Sequence, residues 1–306
     1  MGERRERVIF WSLAALLVAA TAAAYLLVVG PAPGSGGRGA APVVRAPEPD
    51  AVPLRLVLRG VSGDVTIVRR GTASPAHAGD SVRPGDALET AIGAHAELGE
   101  GPFAIALSEG TRLALREADL ARARLRLEAG LVEARAEGAA RVEVEVPSGG
   151  AARASGGTLW VSRAGGVTAA AVRGGEGELR SAGGAVSLGD GQRAAAADGA
   201  SPSGATAIPS GLPLDVRWPP ARTRTTRVTV AGSTEPGALL VVAGERVEVR
   251  PDGTFAWEVV LRGGSQRLEV HAEDVGGLKA AREQAVTLDA RAPLPSFDTK
   301  GLWRGR

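Results

Sequence analysis

Residues 141–146 read Arg-Val-Glu-Val-Glu-Val, a strict alternation of charged and apolar side chains. In an extended strand, successive side chains point to opposite faces. The run therefore places Val142, Val144 and Val146 on one face and the charged groups on the other. The segment predicts a β-strand with one buried and one solvated face.

Short apolar runs closed by glycine extend this pattern towards the N-terminus. Residues 54–58 read Leu-Arg-Leu-Val-Leu, and residues 63–68 read Gly-Asp-Val-Thr-Ile-Val. Both are typical of short strands between tight turns. We therefore expect strands throughout this part of the chain.

Residues 118–138 are the ambiguous segment. Their alanine, leucine, arginine and glutamate favour a helix by propensity. However, Leu125, Leu127 and Leu131 around Gly130 fit two strands separated by a turn about equally well. The neighbouring strands favour the second interpretation.

The composition also favours short strands. Of 306 residues, 43 are glycine and 19 are proline, while aromatic residues make up only 3%. This mix is typical of many tight turns and disfavours long helical bundles. The length is enough for about two domains with cores of ordinary size.

Cysteine usage and charge exclude several classes of protein. The absence of cysteine excludes disulfides, thiolate metal sites, cysteine nucleophiles and lipoprotein anchoring. The formal net charge is only +2, and arginine and glutamate alternate along the chain. No broad cationic stripe for nucleic acid is therefore predicted.

An apolar segment near the N-terminus predicts a membrane anchor. Residues 8–29 contain no charge, and Arg4, Arg5 and Arg7 precede them. About 20 apolar residues suffice to cross a bilayer, and preceding positive charges stay in the cytoplasm. We expect a single-pass protein of the bacterial inner membrane with the rest of the chain in the periplasm. A cleaved signal peptide is the alternative, although its apolar run is usually about 7–15 residues.

Changes in composition divide the chain into predicted segments. Two stretches rich in glycine, proline, alanine or serine lack the apolar residues needed to order themselves, and they predict linkers. The two segments that the second linker separates are expected to fold independently. The predicted division is a cytoplasmic N-terminus (1–7), a transmembrane helix (8–29), a flexible linker (30–53), a first β-domain (54–194), a second linker (195–211), a second β-domain (212–290) and a flexible basic tail (291–306).

Six short pieces occur in order along the first β-domain. They are residues 63–67 (Gly-Asp-Val-Thr-Ile), 78–90 (Ala-Gly-Asp-Ser-Val-Arg-Pro-Gly-Asp-Ala-Leu-Glu-Thr), 108–113 (Ser-Glu-Gly-Thr-Arg-Leu), 127–132 (Leu-Glu-Ala-Gly-Leu-Val), 156–161 (Gly-Gly-Thr-Leu-Trp-Val) and 191–192 (Gly-Gln). In this order they resemble the FecR family of periplasmic domains. The resemblance covers nearly half the chain. It implies a β-solenoid-like fold and no catalysis.

The same pieces have a plain physical interpretation. Glycine permits the positive φ that tight turns require, and aspartate hydrogen-bonds its own backbone two residues further on. We expect these residues to make the fold rather than to bind a ligand. Iron-citrate regulators of the family also carry a cytoplasmic helical domain that binds a sigma factor. Only seven residues precede Val8, so no such domain is expected here.

The second β-domain has its own pattern of strands and turns. Short strands at about ten-residue spacing, including residues 266–272 and 280–288, predict a small sandwich. Residues 232–238 (Gly-Ser-Thr-Glu-Pro-Gly-Ala) followed by 252–255 (Asp-Gly-Thr-Phe) resemble bacterial immunoglobulin-like domains of cell-surface proteins. This resemblance implies a fold but no particular function.

Few residues are candidates for chemistry. His77, His95 and His271 are far apart, and only His271 has acidic neighbours at strand spacing, Glu269 and Glu273. Such an arrangement is more typical of a polar surface than of a metal site. No nucleophile elbow or phosphate-binding loop is present. We therefore expect no enzyme activity, no catalytic residues, no cofactor and no metal.

Three tryptophans are the remaining candidates for binding. Trp160, Trp218 and Trp257 are aromatic side chains of the type that binds sugars, but small sandwiches more often bury them. The sequence therefore assigns no binding residue, and it does not fix the oligomeric state.

Topology and resemblances together predict a non-catalytic binding module. It is held in the bilayer by residues 8–29 and presents two β-domains to an envelope protein or a cell-wall glycan, in a regulatory or scaffolding role. The alternatives are a structural envelope spacer and an accessory binding module for a separate hydrolase. Neither resemblance implies a nucleic-acid partner.

Overall fold

The computed structural model describes residues 53–289, which contain 23 strands and no helix. The prediction of a mainly β fold is confirmed. The predicted membrane segment (8–29) and basic tail (291–306) lie outside the described residues. Across 53–289, no helix is long and apolar enough to span a bilayer. All described residues belong to one compact unit, Ala51–Arg306.

The first fifteen strands form one large sheet, which we call the first sheet. Their bounds are β1 Leu56–Ser62, β2 Val65–Arg69, β3 Thr72–Pro75, β4 Ser81–Val82, β5 Ala87–Thr90, β6 His95–Glu100, β7 Phe103–Leu107, β8 Arg112–Ala118, β9 Arg122–Glu145, β10 Ala151–Ala164, β11 Val167–Arg173, β12 Glu176–Ser181, β13 Gly184–Leu188, β14 Gln192–Ala197 and β15 Thr206–Ala207. The main path of neighbouring strands is β15-β14-β11-β10-β9-β7-β6-β1-β4. All pairings in this sheet are antiparallel.

The 24-residue strand β9 organises the first sheet. Its N-terminal part pairs with β8, its middle pairs with β7, and residues 130–145 pair with β10. Of the valines predicted from the alternation, Val142 and Val144 lie in its C-terminal part and Val146 directly follows its last residue, and all three are at most 3% exposed. They join the core that the first sheet encloses. The predicted buried face is therefore confirmed.

The strand interpretation of residues 118–138 is correct, but the predicted turn at Gly130 is wrong. Gly130 lies within β9, where it pairs with Arg163, and its φ is +111°. A Cβ built on it would lie 2.4 Å from the Cα of Thr111. Glycine is therefore required here by a close approach of two strands, not by a reversal of the chain.

The last eight strands form two smaller sheets. Their bounds are β16 Leu214–Arg217, β17 Arg222–Thr223, β18 Arg227–Thr234, β19 Leu239–Val242, β20 Glu245–Val247, β21 Thr254–Val260, β22 Gly264–Glu273 and β23 Lys279–Leu288. One sheet has the order β16-β18-β21 and the other β17-β23-β22-β19-β20. A shared apolar core that includes Val230, Phe255 and Val270 fills the space between them. We call this part the sandwich.

The stretch predicted as a second linker is partly in the first sheet. Its first residues complete β14, and Thr206–Ala207 forms β15 against Gln192 and Arg193. Ile208 packs against a buried cluster between the first sheet and the sandwich. The chain thus passes into the sandwich directly from the edge of the sheet.

Candidate functional site: the junction between the first sheet and the sandwich

A buried apolar cluster joins the first sheet to the sandwich. Most of its side chains come from β9, β10 and β11, and the sandwich contributes two. The members are Leu131, Trp160, Ala169, Ala171, Leu239 and Val275. Each is at most 8% exposed. Burial of apolar side chains from both parts stabilises their contact.

Trp160 is part of this junction rather than an open binding surface. Its Nε1 donates a hydrogen bond to Glu133 Oε2 at 3.0 Å. The guanidinium of Arg173 lies 5.5 Å from the ring centroid, within the range of a cation–π contact. Of the other two tryptophans, Trp218 packs against the sandwich core and Trp257 is 37% exposed. The structure does not bring the three tryptophans together in one buried cluster.

A charged triad lies beside the apolar cluster. Arg193 on β14 contacts Glu235 at 2.6 Å and Asp274 at 3.4 Å, both of which belong to the sandwich. Burial raises the pKa of Asp274, against the opposing effects of the Leu278 N–H and the Arg193 charge. Arg193 is the partner that compensates this buried carboxyl group.

The space around the triad is too small for an ordinary ligand. The cavity lined by Arg193, Glu235 and Asp274 has a volume of about 80 Å³. Pockets for drug-sized molecules usually measure about 300–1,000 Å³. The triad is therefore best understood as a structural contact that holds the sandwich against the first sheet.

A hydrogen bond and a close backbone approach also join the first sheet to the sandwich. Ser162 Oγ donates a hydrogen bond to the carbonyl of Gly237 at 2.7 Å. At Gly165, a Cβ would lie 1.9 Å from the carbonyl oxygen of Val249. A side chain at position 165 would therefore push the sandwich away from the sheet.

The loop of residues 108–111 forms the second side of the junction. The carbonyl of Gly110 accepts a hydrogen bond from the guanidinium of Arg246. Glu109 Oε1 lies 2.6 Å from His271 Nε2 on β22, and Glu109 Oε2 accepts the N–H of Gly93 at 2.7 Å. The sequence predicted His271 as a surface residue. Its partner Glu109 is 162 positions away, and no spacing in the sequence connects the two.

Several effects act on the pKa of Glu109. Burial tends to raise the pKa, but the Gly93 N–H, the hydrogen bond and charge of His271, and the charge of His95 outweigh burial. The net pKa lies below the usual glutamate value. The ionised carboxylate is therefore the form that stabilises the junction.

We expect the Glu109–His271 contact to make stability depend on pH. Because the folded-state pKa of Glu109 is lowered, its contribution is complete above the ordinary glutamate value of about 4.3 and is lost as pH falls below it. Chemical unfolding between about pH 6 and pH 3 should show a smaller loss of stability for Glu109→Gln than for the natural chain. Glu283→Gln, which removes an exposed carboxylate, is the control. Equal pH slopes for the Glu109→Gln variant and the natural chain would contradict this expectation.

The acidic and threonine residues of the sequence pieces serve the fold. Asp80 Oδ2 accepts the N–H of His77 at 2.8 Å, and Asp86 Oδ2 accepts the N–H of Arg83 at 3.0 Å. The bonded amides thus lie three residues earlier, not two residues later as expected. Thr90 Oγ1 donates to the carbonyl of Ser108 at 2.7 Å. These side chains close turns and connect strands.

In the described part of the chain, the remaining histidines form no direct contact with the junction, and His95 acts on Glu109 only through its charge. The side chain of His77 is 77% exposed, and His95 lies on the exposed face of β6. Within residues 53–289, no three histidine or acidic side chains come together in a way that would hold a metal ion.

Comparisons with known proteins give only distant similarities. No protein-family model and no curated protein matches the chain. A crystal structure from Parabacteroides distasonis, named as a candidate anti-sigma factor, aligns at 15% identity with a TM-score of 0.33. The alignment covers 40% of this chain and 59% of that one, so the chain spans less than two thirds of its length. A polysaccharide lyase aligns at 10% identity over 76% of this chain and 40% of its own, with a TM-score of 0.20. Similarities at this level assign neither a family nor a function.

Proposed function

We propose that the chain is a non-catalytic, single-pass protein of the bacterial inner membrane. Residues 8–29 hold it in the bilayer, with the N-terminus in the cytoplasm and the β-segments in the periplasm. The first sheet and the sandwich together bind an envelope protein or a cell-wall glycan, in a regulatory or scaffolding role. As part of this proposal, the first segment is FecR-like and β-solenoid-like, and the sandwich is immunoglobulin-like.

The junction is the observation that carries this proposal. A buried apolar cluster, the Arg193 triad and the Glu109–His271 contact hold the sandwich against the first sheet. Such a fixed arrangement favours a binding or scaffolding role, because surfaces that are already ordered lose less conformational freedom when a partner binds. The use of the sequence pieces in turns and strand contacts supports the FecR-like assignment.

Topology is tested first. A reporter enzyme that is active only in the periplasm is fused after Arg306, and the same enzyme is fused after Arg7. The first fusion should be active and the second inactive. A cytoplasmic C-terminus would overturn the membrane arrangement.

Binding is tested with two partner classes. The full chain in detergent is mixed with purified peptidoglycan sacculi, and membranes containing the chain are treated with a short cross-linker. Saturable sedimentation with sacculi, or one stoichiometric cross-linked protein, is expected. If neither occurs, the structural spacer replaces the binding module as the better interpretation.

A further inference from the structure

Three arginines without acidic partners come together at one end of the first sheet. Arg55 precedes β1 and Arg83 follows β4; since Leu56 pairs with Val82, these two arginines are cross-strand neighbours. Arg116 lies near the end of β8. All three residues are exposed, and none has a salt-bridge partner among residues 53–289. Because these three arginines are far apart in the sequence, the sequence alone did not predict a cationic cluster.

Backbone hydrogen bonds place β8 beside the other two strands. The N–H of Leu54 donates to the carbonyl of Ala118 at 2.8 Å, and the N–H of Gly85 donates to the carbonyl of Leu115 at 2.8 Å. Arg116 therefore lies on the strand segment that borders both the start of β1 and the loop after β4.

A basic cleft continues this surface. It has a volume of about 610 Å³, and Arg69, Arg70 and Arg83 line it together with Asp80 and Asp86. Both carboxylates are already bonded: Asp86 to Arg69 at 3.1 Å, and Asp80 to a backbone N–H. Three arginines against two carboxylates leave the cleft with a formal excess of one positive charge.

An exposed leucine lies at the same end of the sheet. Leu120, in the turn between β8 and β9, is 67% exposed. A Cβ built on Gly101 would lie 3.4 Å from Leu120 Cδ2 and 3.6 Å from Leu54 Cδ2. Both leucine side chains therefore lie next to Gly101. The carboxylates next to Leu120 and Arg116 in sequence already have partners: Asp119 Oδ1 accepts the N–H of Ala121 at 2.7 Å, and Glu117 is paired with Arg122 at 2.8 Å. We call the surface of Leu54, Arg55, Arg83, Arg116 and Leu120 the basic end.

We propose that the basic end docks on the anionic phospholipid headgroups of the bilayer that holds residues 8–29. This inference rests on the proposed membrane anchor. Arginine attracts anionic lipid, and an exposed leucine can enter the headgroup region, so the two together are typical of a membrane-contacting surface. In the sequence, the segment that leads from the predicted anchor connects directly to Leu54 and Arg55, so it joins the folded part at the docking surface itself.

The length of the connecting segment favours this contact. Residues 30–53 separate the predicted anchor from Leu54, and a random coil of that number of residues has a root-mean-square span of about 25–30 Å. The basic end is thereby held close to the lipid surface at a high effective concentration. Each basic residue near an anionic membrane strengthens attraction about five-fold, which corresponds to about 1 kcal/mol.

The absence of cysteine makes a direct distance measurement practical. The full chain is reconstituted in nanodiscs with a fluorophore at Thr72→Cys, next to Arg69 and Arg70, or at Ser265→Cys in the sandwich. The discs contain either phosphatidylglycerol and phosphatidylcholine or phosphatidylcholine alone, each with headgroup spin-labelled lipid as quencher. At low salt we expect quenching of the probe at position 72 only in anionic discs, and weak quenching of the probe at position 265.

Charge variants identify the groups responsible. The triple substitution Arg55→Gln, Arg83→Gln, Arg116→Gln should lower the ratio of docked to undocked protein about 100-fold. A control triple, Arg217→Gln, Arg224→Gln, Arg262→Gln, removes the same charge from exposed sandwich residues and should leave quenching unchanged. Near-native thermal unfolding of each variant establishes that the fold is kept.

Salt separates this proposal from the membrane anchor. At 1 M NaCl the screening length falls to about 3 Å, so docking should disappear while the chain stays in the disc. Release from the disc at high salt, with arginine-dependent quenching at low salt, would overturn the anchor and leave the basic end supported. Equal quenching in neutral and anionic discs, or equal effects of the two triple variants, would overturn the docking proposal.

Discussion

Gly130→Ala should destabilise the protein by about 3–5 kcal/mol and lower its melting temperature by about 10 °C or more. A non-glycine residue at a φ of +111° is strained by about 1–3 kcal/mol. The new methyl group would also lie 2.3 Å from Thr111 Oγ1 and 2.4 Å from Thr111 Cα. Because one of these atoms is backbone, relief requires strands β8 and β9 to separate.

Movement of Thr111 removes further interactions. Its Oγ1 donates to the carbonyl of Leu131 and accepts the N–H of Leu131, both at 3.1 Å. A typical hydrogen bond contributes about 1 kcal/mol. Thr111 is only 1% exposed, so its unpaired hydroxyl would not reach water.

Gly138→Ala is the matched control for Gly130→Ala. Gly138 lies in the same strand with a φ of +62°, and no atom lies within 4 Å of its Cβ position. The expected loss is therefore only the conformational strain, about 1–2 kcal/mol. Calorimetry of both variants distinguishes the cost of the close contact with Thr111 from the cost of a positive φ at a non-glycine residue. Equal losses would show that the close approach of Thr111 has no energetic importance.

Arg193→Ala should destabilise the junction by about 2–4 kcal/mol. Removing one partner of a buried ion pair costs about 3–5 kcal/mol, and the lower figure allows for the partial exposure of Glu235. Asp274, whose side chain is 1% exposed, would be left without its cation. Denaturant unfolding should resolve one transition in the natural chain and two in the variant.

The pH dependence of this loss provides a second measurement. Burial already raises the pKa of Asp274, and removal of Arg193 raises it further. The penalty for a charged Asp274 is complete above its raised folded-state pKa and decreases as pH falls through that pKa. It is absent only well below the ordinary aspartate value of about 3.9, where the carboxyl group is protonated in both the folded and the unfolded state. The double variant Arg193→Ala, Asp274→Asn should recover part of the stability at pH 7.

An exposed ion pair serves as the control for Arg193. Arg227→Ala removes a contact with Glu258 at 3.2 Å, in which the two side chains are 71% and 56% exposed. Such pairs contribute at most about 1 kcal/mol. Two separate transitions in the natural chain would favour the independent folding that the sequence predicts and would contradict coupling through the junction.

Local features of the fold were predictable because their causes are local. The alternation at Val142, Val144 and Val146 follows from the two-residue period of a strand. Residues Gly79 and Gly85 have positive φ values, as their turn sequences predicted. Neither result requires knowledge of a distant residue.

Gly130 and the junction were not predictable for the opposite reason. A glycine between leucines is compatible with a turn, and only the position of Thr111 shows that a close approach requires it. Likewise, Glu109 and His271 are in contact although 162 positions separate them in the sequence. No helix or strand period connects residues at that spacing. Trp160 was ambiguous because its burial depends on Leu239 and Val275, which follow much later in the chain.

The length of β9 also has consequences while the chain is being synthesised. β9 pairs with strands that precede it and with β10, which follows it. Until β10 is available, residues 130–145 of β9 present a long edge of unpaired amides and carbonyls. Such edges pair readily with other chains, and non-local strand pairing is slow. Nascent molecules of this protein are therefore at risk of aggregation in the interval before β10 emerges, and chaperones that shield strand edges should increase its yield.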